Sequence, residues 1–374
     1  MTTLATHSGQ LERWLGKEVI EHMSASMADW YGPPIAVAGV PGKVFAHRGG
    51  DFRGTIAEGR VASAKCYVED FARRLPRNVR RWALKQSSQA NVGFASLSDL
   101  ISEATVGGKR REYAFQKVGT TGVVAASNSL WRVGNLPSAG AAAAAAPGGV
   151  VPTDASAGAL YDLAVLAPDT RHFVAASVLA SVAPNTLLLY DRLFAVAKAM
   201  NSITTEAVTG VPTRYQSTVT GAEDAAAGNF LFVETGTVLA ATAHNWNVCT
   251  YVDHGGAAGT LPSLTGNSGN IANRLDHPVS QWFAPLAAGD NGIKSLTQMQ
   301  CSAAVATGTI DFVIGHPLVW MPVPLANVAC TIDGINTAFN LVRIFDGACL
   351  ALLEVTKAAT GATTYNGSIT TVSG

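Results

Sequence analysis

The spacing of apolar residues changes along this chain, from helical near the start to alternating near the end. From Leu11 to Trp30, apolar residues recur at three- or four-residue steps, so that they share one face of a helix. Ser8 is a suitable N-cap ahead of this run, and Gly32 with the two prolines after it ends the run. The pattern predicts an amphipathic helix as the first element.

The next segments are also predicted as helical or extended. Residues 35–60 are interrupted by glycine and proline, which predicts an extended arm or loop. Helices are predicted over residues 63–75 and 79–86, and mixed short strands over 93–136. These elements define an N-terminal helical and extended arm region over residues 1–137.

Residues 203–374 follow a different pattern, in which apolar and polar residues alternate in short runs separated by Gly, Pro, Asn and Asp. Alternation with a period of two, broken by turn residues, is typical of antiparallel sandwiches and barrels. The segment is therefore predicted to form an antiparallel β-sandwich or barrel domain. The side chains predicted to face its core include Phe232, Val248, Met299, Ile310, Phe312 and Leu350.

Two segments lie between these regions. Residues 138–152 are rich in alanine and glycine, which predicts a linker or flexible loop. Residues 153–202 are predicted to connect this linker to the β-domain through a helix over residues 186–201, where apolar residues again recur at helical spacing. The predicted fold class is mainly β with an α-helical N-terminal part.

Composition points to an assembled protein. Charged residues make up 14% of the chain and hydrophobic residues 48%, whereas a typical soluble domain has roughly 25% charged residues. A surface poor in charge favours contact with other protein, although a globular monomer with a surface rich in Ser, Thr and Asn is the alternative. Five dispersed cysteines without a C-x-x-C pair and a start without a signal-peptide pattern favour reduced thiols in a cytosolic assembly site. No apolar run reaches 18 residues, so no membrane partner is expected.

Charge is distributed unevenly. Residues 1–132 hold 18 Lys and Arg against 11 Asp and Glu, a net charge of +7, and the remaining 8 basic and 15 acidic residues give residues 133–374 a net charge of −7. The densest basic segment comprises Arg73, Arg74, Arg77, Arg80, Arg81 and Lys85. A segment with this many basic residues can neutralise nucleic-acid phosphates without sequence specificity, but a solvated helix face or ion pairs with a neighbour's acidic half explain it equally well.

The sequence lacks the patterns that carry common chemistries: G-x-S-x-G, the Walker loop, the Rossmann fingerprint and H-E-x-x-H. We therefore predict no catalytic residues, no cofactor and no enzymatic activity. Asp253, His254, Asp276 and His277 would hold a metal only if their loops converged. Adjacent residues of a strand point to opposite faces and polar loop residues commonly make turn hydrogen bonds, so no metal site is predicted.

A glycan-binding β-sandwich is a competing interpretation. Such modules display aromatic side chains on one exposed face. Trp246, Trp282 and Trp320 lie in alternating or apolar contexts, which are interpreted here as core positions. A hydrolase would require acidic residues that meet in space, which the spacing of residues does not reveal.

Several short phrases resemble structural proteins of tailed-bacteriophage virions, over roughly residues 125–374. These phrases are SLWRVGNLPSAG (129–140), LLLYDRLF (187–194), TGVPTRYQS (209–217), WNVCTYVDHGGAAG (246–259) and PLAAGDNGIKSL (285–296). The resemblance implies a role in the particle, with copies of the chain and other virion proteins as partners, but it implies no catalytic residues.

Within a virion, the order of elements favours the head, either as a capsid shell protein or as a cement protein with an N-terminal clamp and a β-sandwich body. Such a subunit would assemble in the cytoplasm of the bacterial host, and its basic segment would contact packaged DNA non-specifically. The alternatives are a tail, collar or receptor-binding component of the virion, and the carbohydrate-binding module considered above.

Overall fold

The computed structural model describes residues 35–36, 43–44, 94, 96–120, 123–161, 169–219, 221–335, 341–356 and 361–374. The chain divides into two compact units, residues 1–92 and residues 93–374. In the first unit, strands β1 (Ile35–Ala36) and β2 (Lys43–Val44) pair in antiparallel orientation. This pair lies in the region predicted as an extended arm.

The other predictions for the first unit concern residues that the structure does not describe. They are the helix that begins near Ser8, the helices over residues 63–75 and 79–86, and the basic segment from Arg73 to Lys85. The α-helical N-terminal part therefore stays a prediction.

The described part of the second unit has one helix, α1 (Leu97–Thr105), where only short strands were predicted. Ser96 caps it, because the Ser96 side chain accepts a hydrogen bond from the Asp99 amide at 3.1 Å. No helix in the described residues has the length and apolarity needed to cross a membrane. The strands of this unit are β3 (Arg110–Val118), β4 (Asn128–Ser129), β5 (Asn135–Leu136), β6 (Arg171–Ala180), β7 (Asn185–Ala199), β8 (Glu206–Ala207), β9 (Phe230–Thr237), β10 (Asn245–Asp253), β11 (Ala258–Thr260), β12 (Leu264–Thr265), β13 (Ile293–Cys301), β14 (Thr309–Val323), β15 (Cys330–Asp333), β16 (Arg343–Ile344), β17 (Leu350–Thr356) and β18 (Thr364–Ser373).

These strands form three antiparallel sheets. The central sheet has the order β4-β17-β7-β14-β9. The six-stranded sheet has the order β15-β6-β18-β3-β5, with β16 also paired to β6, and the small sheet has the order β11-β10-β13-β8, with β12 also paired to β10. The prediction of a mainly β, antiparallel fold is confirmed. Strand β3 lies within the short strands predicted over residues 93–136, and the antiparallel sheets extend beyond the predicted domain of residues 203–374.

The two longest strands, β7 and β14, connect two hydrophobic cores. Val319 and Met321, near the end of β14, belong to a core shared with the six-stranded sheet. Ile310 and Phe312, near its start, belong to a core shared with the small sheet. Register shifts after Ile314 separate these halves, and such irregularities change which side chains face inward. One pair of long strands thus carries both cores.

The predicted helix over residues 186–201 is wrong, because this segment is strand β7. Leu187, Leu188, Leu189 and Tyr190 are all fully buried, so consecutive side chains on both faces of the strand lie in the interior. A strand buried on both faces has a continuous apolar sequence, and periodicity alone does not separate it from a helix. Pairing with β14 and β17 on either side fixes the extended conformation.

The alanine-rich segment 138–152 follows β7 closely. The Val150 amide donates to the Ala195 carbonyl at 2.8 Å, and the Ala195 amide donates back at 2.9 Å. Gly149 has a φ of +66°, and a β-carbon there would collide with the ring of Phe194. Small residues therefore allow the backbone to approach the sheet, and the segment is part of the second unit instead of a linker between domains.

Five of the six side chains predicted to face the core are almost completely buried, and Val248 is the exception. In β10 the buried residues are Trp246, Cys249 and Tyr251. A register shift between Trp246 and Val248 in the pairing with β13 explains the difference. An irregularity of this kind reverses the alternation beyond it, so Cys249 takes the inward position predicted for Val248.

Candidate functional site

Charged side chains meet in the interior on three neighbouring strands of the central sheet. Arg192 on β7 and Glu234 on β9 are each 1% exposed, and the Arg192 Nη2 to Glu234 Oε1 distance is 2.6 Å. Asp311 on β14 forms an ion pair with Arg132. The guanidinium of Arg192 also lies 4.9 Å from the centre of the Trp131 ring. We call Arg132, Arg192, Glu234 and Asp311 the ionic cluster.

The pairing of the strands explains the electrostatics of the ionic cluster. Glu234 and Asp311 lie directly opposite each other between β9 and β14. Burial would raise the pKa of Glu234, but the neighbouring Arg192 holds that pKa below its ordinary value. Burial, and next the Glu234 carboxylate, raise the pKa of Asp311. The two arginines thus balance two closely placed acids and tie residues 131–132 to the sheet.

A second polar network surrounds Asp276. Its Oδ2 accepts hydrogen bonds from the Trp246 indole N–H and from His244 Nε2, each at 2.9 Å, and its Oδ1 accepts from the Asn267 amide at 2.7 Å. His244, Trp246 and Asp276 are all buried. Burial would lower the pKa of His244, but the hydrogen bond to Asp276 raises it above its ordinary value. The carboxylate therefore serves as an internal acceptor that joins β10 to the loop after β12.

The structure separates the residues considered as metal ligands. Asp276 contacts Trp246 at the start of β10, whereas Asp253 ends that strand, seven residues or roughly 23 Å further along. Asp253 accepts a hydrogen bond from the Ala257 amide in the turn that follows. His277 accepts one from the Val233 amide at 2.8 Å. In the described residues, no three His, Cys, Asp or Glu side chains come together as a metal site.

An aromatic cleft of about 250 Å3 opens where the start of β9 meets the loop before β13. Trp282 lines the cleft, and its ring centroid lies 5.0 Å from that of Phe230, 4.8 Å from that of Phe283 and 5.1 Å from that of Trp320, which is not among the lining residues. All three contacts are edge-to-face, an arrangement that aromatic pairs prefer. The side chains that line the cleft include Phe230, Trp282, Phe283, Leu286, Asp290 and Asn291.

The aromatic cleft corrects the interpretation of the tryptophans. Trp246 is 1% exposed and is a core residue, as predicted, but Trp320 is 44% exposed and Trp282 is half-buried. The sequence held a signal for Trp320, because it alternates with Val319 and Met321, which face the core. The cleft itself had no such signal, since its residues come from segments about fifty positions apart.

The basic segment is the remaining predicted site, and Arg73, Arg74, Arg77, Arg80, Arg81 and Lys85 all lie outside the described residues. The structure therefore does not place it against nucleic acid or protein. Three further consecutive basic residues, Lys109 to Arg111, are described. Lys109 forms ion pairs with Glu103 and Asp169, at 3.0 and 2.7 Å.

Comparisons with known proteins are of low similarity. No family model matches the chain, and no curated protein matches it. The structure of infectious bursal disease virus Gt strain aligns with 71% of this chain and 81% of its own at 11% identity, with a TM-score of 0.14. The crystal structure of the infectious bursal disease virus VP2 subviral particle aligns with 73% of this chain and 86% of its own at 8% identity, also with a TM-score of 0.14. At this score neither likeness supports a fold or a function, and the resemblance to tailed-phage proteins stays a prediction.

Proposed function

We propose that this chain is a structural subunit of a virus particle and acts by self-association, most specifically as a shell or cement protein in the head of a tailed bacteriophage. The carrying observation is the charged fraction of 14%, compared with roughly 25% in typical soluble domains. A free protein usually needs more charge to stay dispersed. Part of this surface therefore faces copies of the chain and other virion proteins, in a virion assembled in the host cytoplasm.

Exposed apolar side chains support contacts of this kind. Leu97 and Ile101 lie one turn apart on α1 and are 55% and 52% exposed. Val123 and Val124 form a second exposed pair. Single exposed apolar residues are normal, but neighbouring pairs on a weakly charged surface favour burial against a partner. Leu325 and Val328 provide a third pair.

The edges of the central sheet favour association through side chains instead of strand addition. The outer edge of β9 is already paired, because Leu231 and Val233 accept hydrogen bonds from the amides of Ala284 and Asp276, both at 2.7 Å. At the opposite edge, β4 has only two residues. Covered or short edges prevent sheet-to-sheet pairing between molecules. Assembly is therefore proposed to use faces of the sheets and α1.

The first prediction is that the purified full chain forms oligomers or particles. Light scattering and negative-stain electron microscopy should detect them in near-native buffer. Three double variants test the apolar pairs: Leu97→Glu with Ile101→Glu, Val123→Glu with Val124→Glu, and Leu325→Glu with Val328→Glu. At least one should release folded monomers, because a charge in a desolvated interface costs several kcal/mol, about 2–5.

The matched control places charges at exposed polar positions, Ser263→Glu with Ser268→Glu, and should leave assembly intact. Circular dichroism confirms that each variant is folded. A wild-type chain that stays a folded monomer at every concentration tested would contradict the proposal.

The second prediction concerns the basic segment, which we propose faces packaged DNA. Changing Arg77, Arg80 and Arg81 to Gln should spare empty-shell assembly and reduce DNA retention, because fewer counterions are released from phosphates. Shell yield by microscopy and DNA content by nuclease protection measure the two effects separately.

The control for this segment is Arg110→Gln with Arg111→Gln, which removes two exposed charges from β3 and should leave DNA retention unchanged. If the segment instead joins neighbouring subunits, assembly itself should fail in the triple variant and recover at lower salt. Normal assembly and normal DNA retention would exclude both roles.

A further inference from the structure

We infer that the aromatic cleft is a binding site for one uncharged sugar ring, the terminal hexopyranose of a neutral glycan. The inference rests on the shape and lining of the cleft and does not depend on the proposed assembly. A volume of about 250 Å3 lies just below the roughly 300–1,000 Å3 of sites that take drug-sized ligands. A single ring fits this size.

The cleft is held open by the fold. On one side, the Ala284 amide donates to the Leu231 carbonyl at 2.7 Å. On the other, the Gly228 amide donates to the Asn291 carbonyl at 2.7 Å. Both bonds attach the loop that carries Trp282 and Asn291 to the segment around β9. A site formed in advance binds a small ligand without the cost of ordering its own chain.

Aromatic side chains supply the apolar part of the site. Phe283 and Trp282 both line the cleft, and Phe283 is 40% exposed although its ring contacts the half-buried Trp282. The face of an aromatic ring carries partial negative charge. The axial C–H groups of a pyranose carry partial positive charge and form a flat apolar patch, so they pack favourably on such rings.

Polar groups beside the rings match hydroxyl groups. Asp290 Oδ2 accepts a hydrogen bond from the Tyr251 hydroxyl at 2.5 Å, and that hydroxyl accepts one from the Ala287 amide at 2.8 Å. These two hydrogen bonds fix the position of the Asp290 carboxylate. The Oδ1 atom of Asp290 accepts no hydrogen bond from the described residues. The Asn291 side chain is exposed and likewise has no partner among them. A fixed carboxylate oxygen and a free amide can together bind adjacent hydroxyls.

Charge selects between ligand classes. No lysine or arginine is among the described side chains that line the cleft, and Asp290 is acidic. An anionic sugar would be repelled by this carboxylate. A purely apolar ligand would cover Asp290 without pairing it, which carries the desolvation cost of an unsatisfied charged group. A neutral sugar satisfies both the rings and the carboxylate.

Saturation-transfer NMR on the full chain tests the inference with methyl hexopyranosides of glucose, galactose, mannose and N-acetylglucosamine. N-acetylneuraminic acid serves as the anionic probe and choline as the cationic probe. At least one neutral glycoside should bind with a Kd in the millimolar range, about 1–10 mM. Phe283→Ala and Asp290→Asn should each weaken binding by about tenfold, since each removes one of the few groups that contact the sugar.

Asn291→Ala provides a variant at an exposed position if either of the others fails to fold, and it too should weaken binding. The matched control is Ile203→Ala, an exposed apolar residue outside the cleft, which should bind like the wild type. The inference is overturned if no neutral glycoside binds at concentrations up to about 50 mM. Preference for N-acetylneuraminic acid or choline, or binding that survives unchanged in the cleft variants, overturns it as well.

Discussion

Acidification from pH 7 to pH 4 is expected to destabilise the unit formed by residues 93–374 by up to about 6 kcal/mol. Burial lowers the pKa of His277 and of His316 to about 4, from an ordinary value of 6.5. In the window between these values the unfolded chain binds more protons than the folded one. Stability is therefore present above pH 6.5 and is lost as the pH falls towards 4, by about 3 kcal/mol for each histidine.

Hydrogen bonding gives the acid effect a structural basis. His277 Nε2 accepts a hydrogen bond from the Val233 amide at 2.8 Å, and a protonated imidazole has no acceptor. His316 is stacked on Tyr215 with ring centroids 3.7 Å apart, and burial lowers the pKa of His316. His244 acts in the opposite direction. Asp276 raises the pKa of His244, so the contribution of His244 to folding stability is lost only as the pH rises.

Urea titrations at pH 7, 6, 5 and 4 measure the effect as the free energy of unfolding. His277→Gln keeps an amide oxygen as an acceptor for the Val233 amide, and with His316→Gln it should remove most of the acid loss. His254→Gln, at a half-buried histidine after β10, is the control and should retain the full loss. A free energy of unfolding that stays constant between pH 7 and pH 4 would contradict the explanation. So would a double variant whose free energy of unfolding falls between pH 7 and pH 4 as much as that of the wild type.

The strands that the sequence predicts well are those with one buried face. At the end of β14, Val319, Met321 and Val323 are buried while the residues between them are exposed, and this period of two is visible in the sequence. Strand β7 is buried on both faces, so its apolar run matched a helical spacing equally well. Cys249 is buried where Val248 was predicted to be, because the pairing of β10 with β13 has a register shift, and no pattern within the sequence of β10 indicates that shift.

The candidate sites were less predictable because they depend on pairing between distant strands. Arg192, Glu234 and Asp311 each resemble an ordinary surface charge in the sequence, and only the order β7-β14-β9 brings them together. The aromatic cleft likewise requires the loop that carries Trp282 to fold against the start of β9. Trp320 was interpreted as a core residue, although its alternation with the buried Val319 and Met321 already indicated an outward direction.

The ionic cluster leads to the second large effect. Glu234→Gln is expected to destabilise the protein by about 3–5 kcal/mol, because Arg192 would remain buried without its anionic partner. The Arg192 and Glu234 side chains are both 1% exposed, so water does not replace the lost interaction. Asp311, directly opposite position 234, already pairs with Arg132 and compensates Arg192 only in part. Urea unfolding at pH 7 measures the loss.

Replacing both partners separates the cost of an unpaired charge from the net contribution of the pair. Arg192→Met with Glu234→Leu should recover much of the stability lost in Glu234→Gln, since apolar side chains of similar size carry no desolvation cost. The surface pair Arg110–Glu112, whose side chains are 55% and 52% exposed, is the control. Glu112→Gln should change stability by less than about 1 kcal/mol, because water screens that pair. If Glu234→Gln costs no more than Glu112→Gln, the ionic cluster does not hold the central sheet together, and residues 131–132 are fixed by the packing of Trp131 instead.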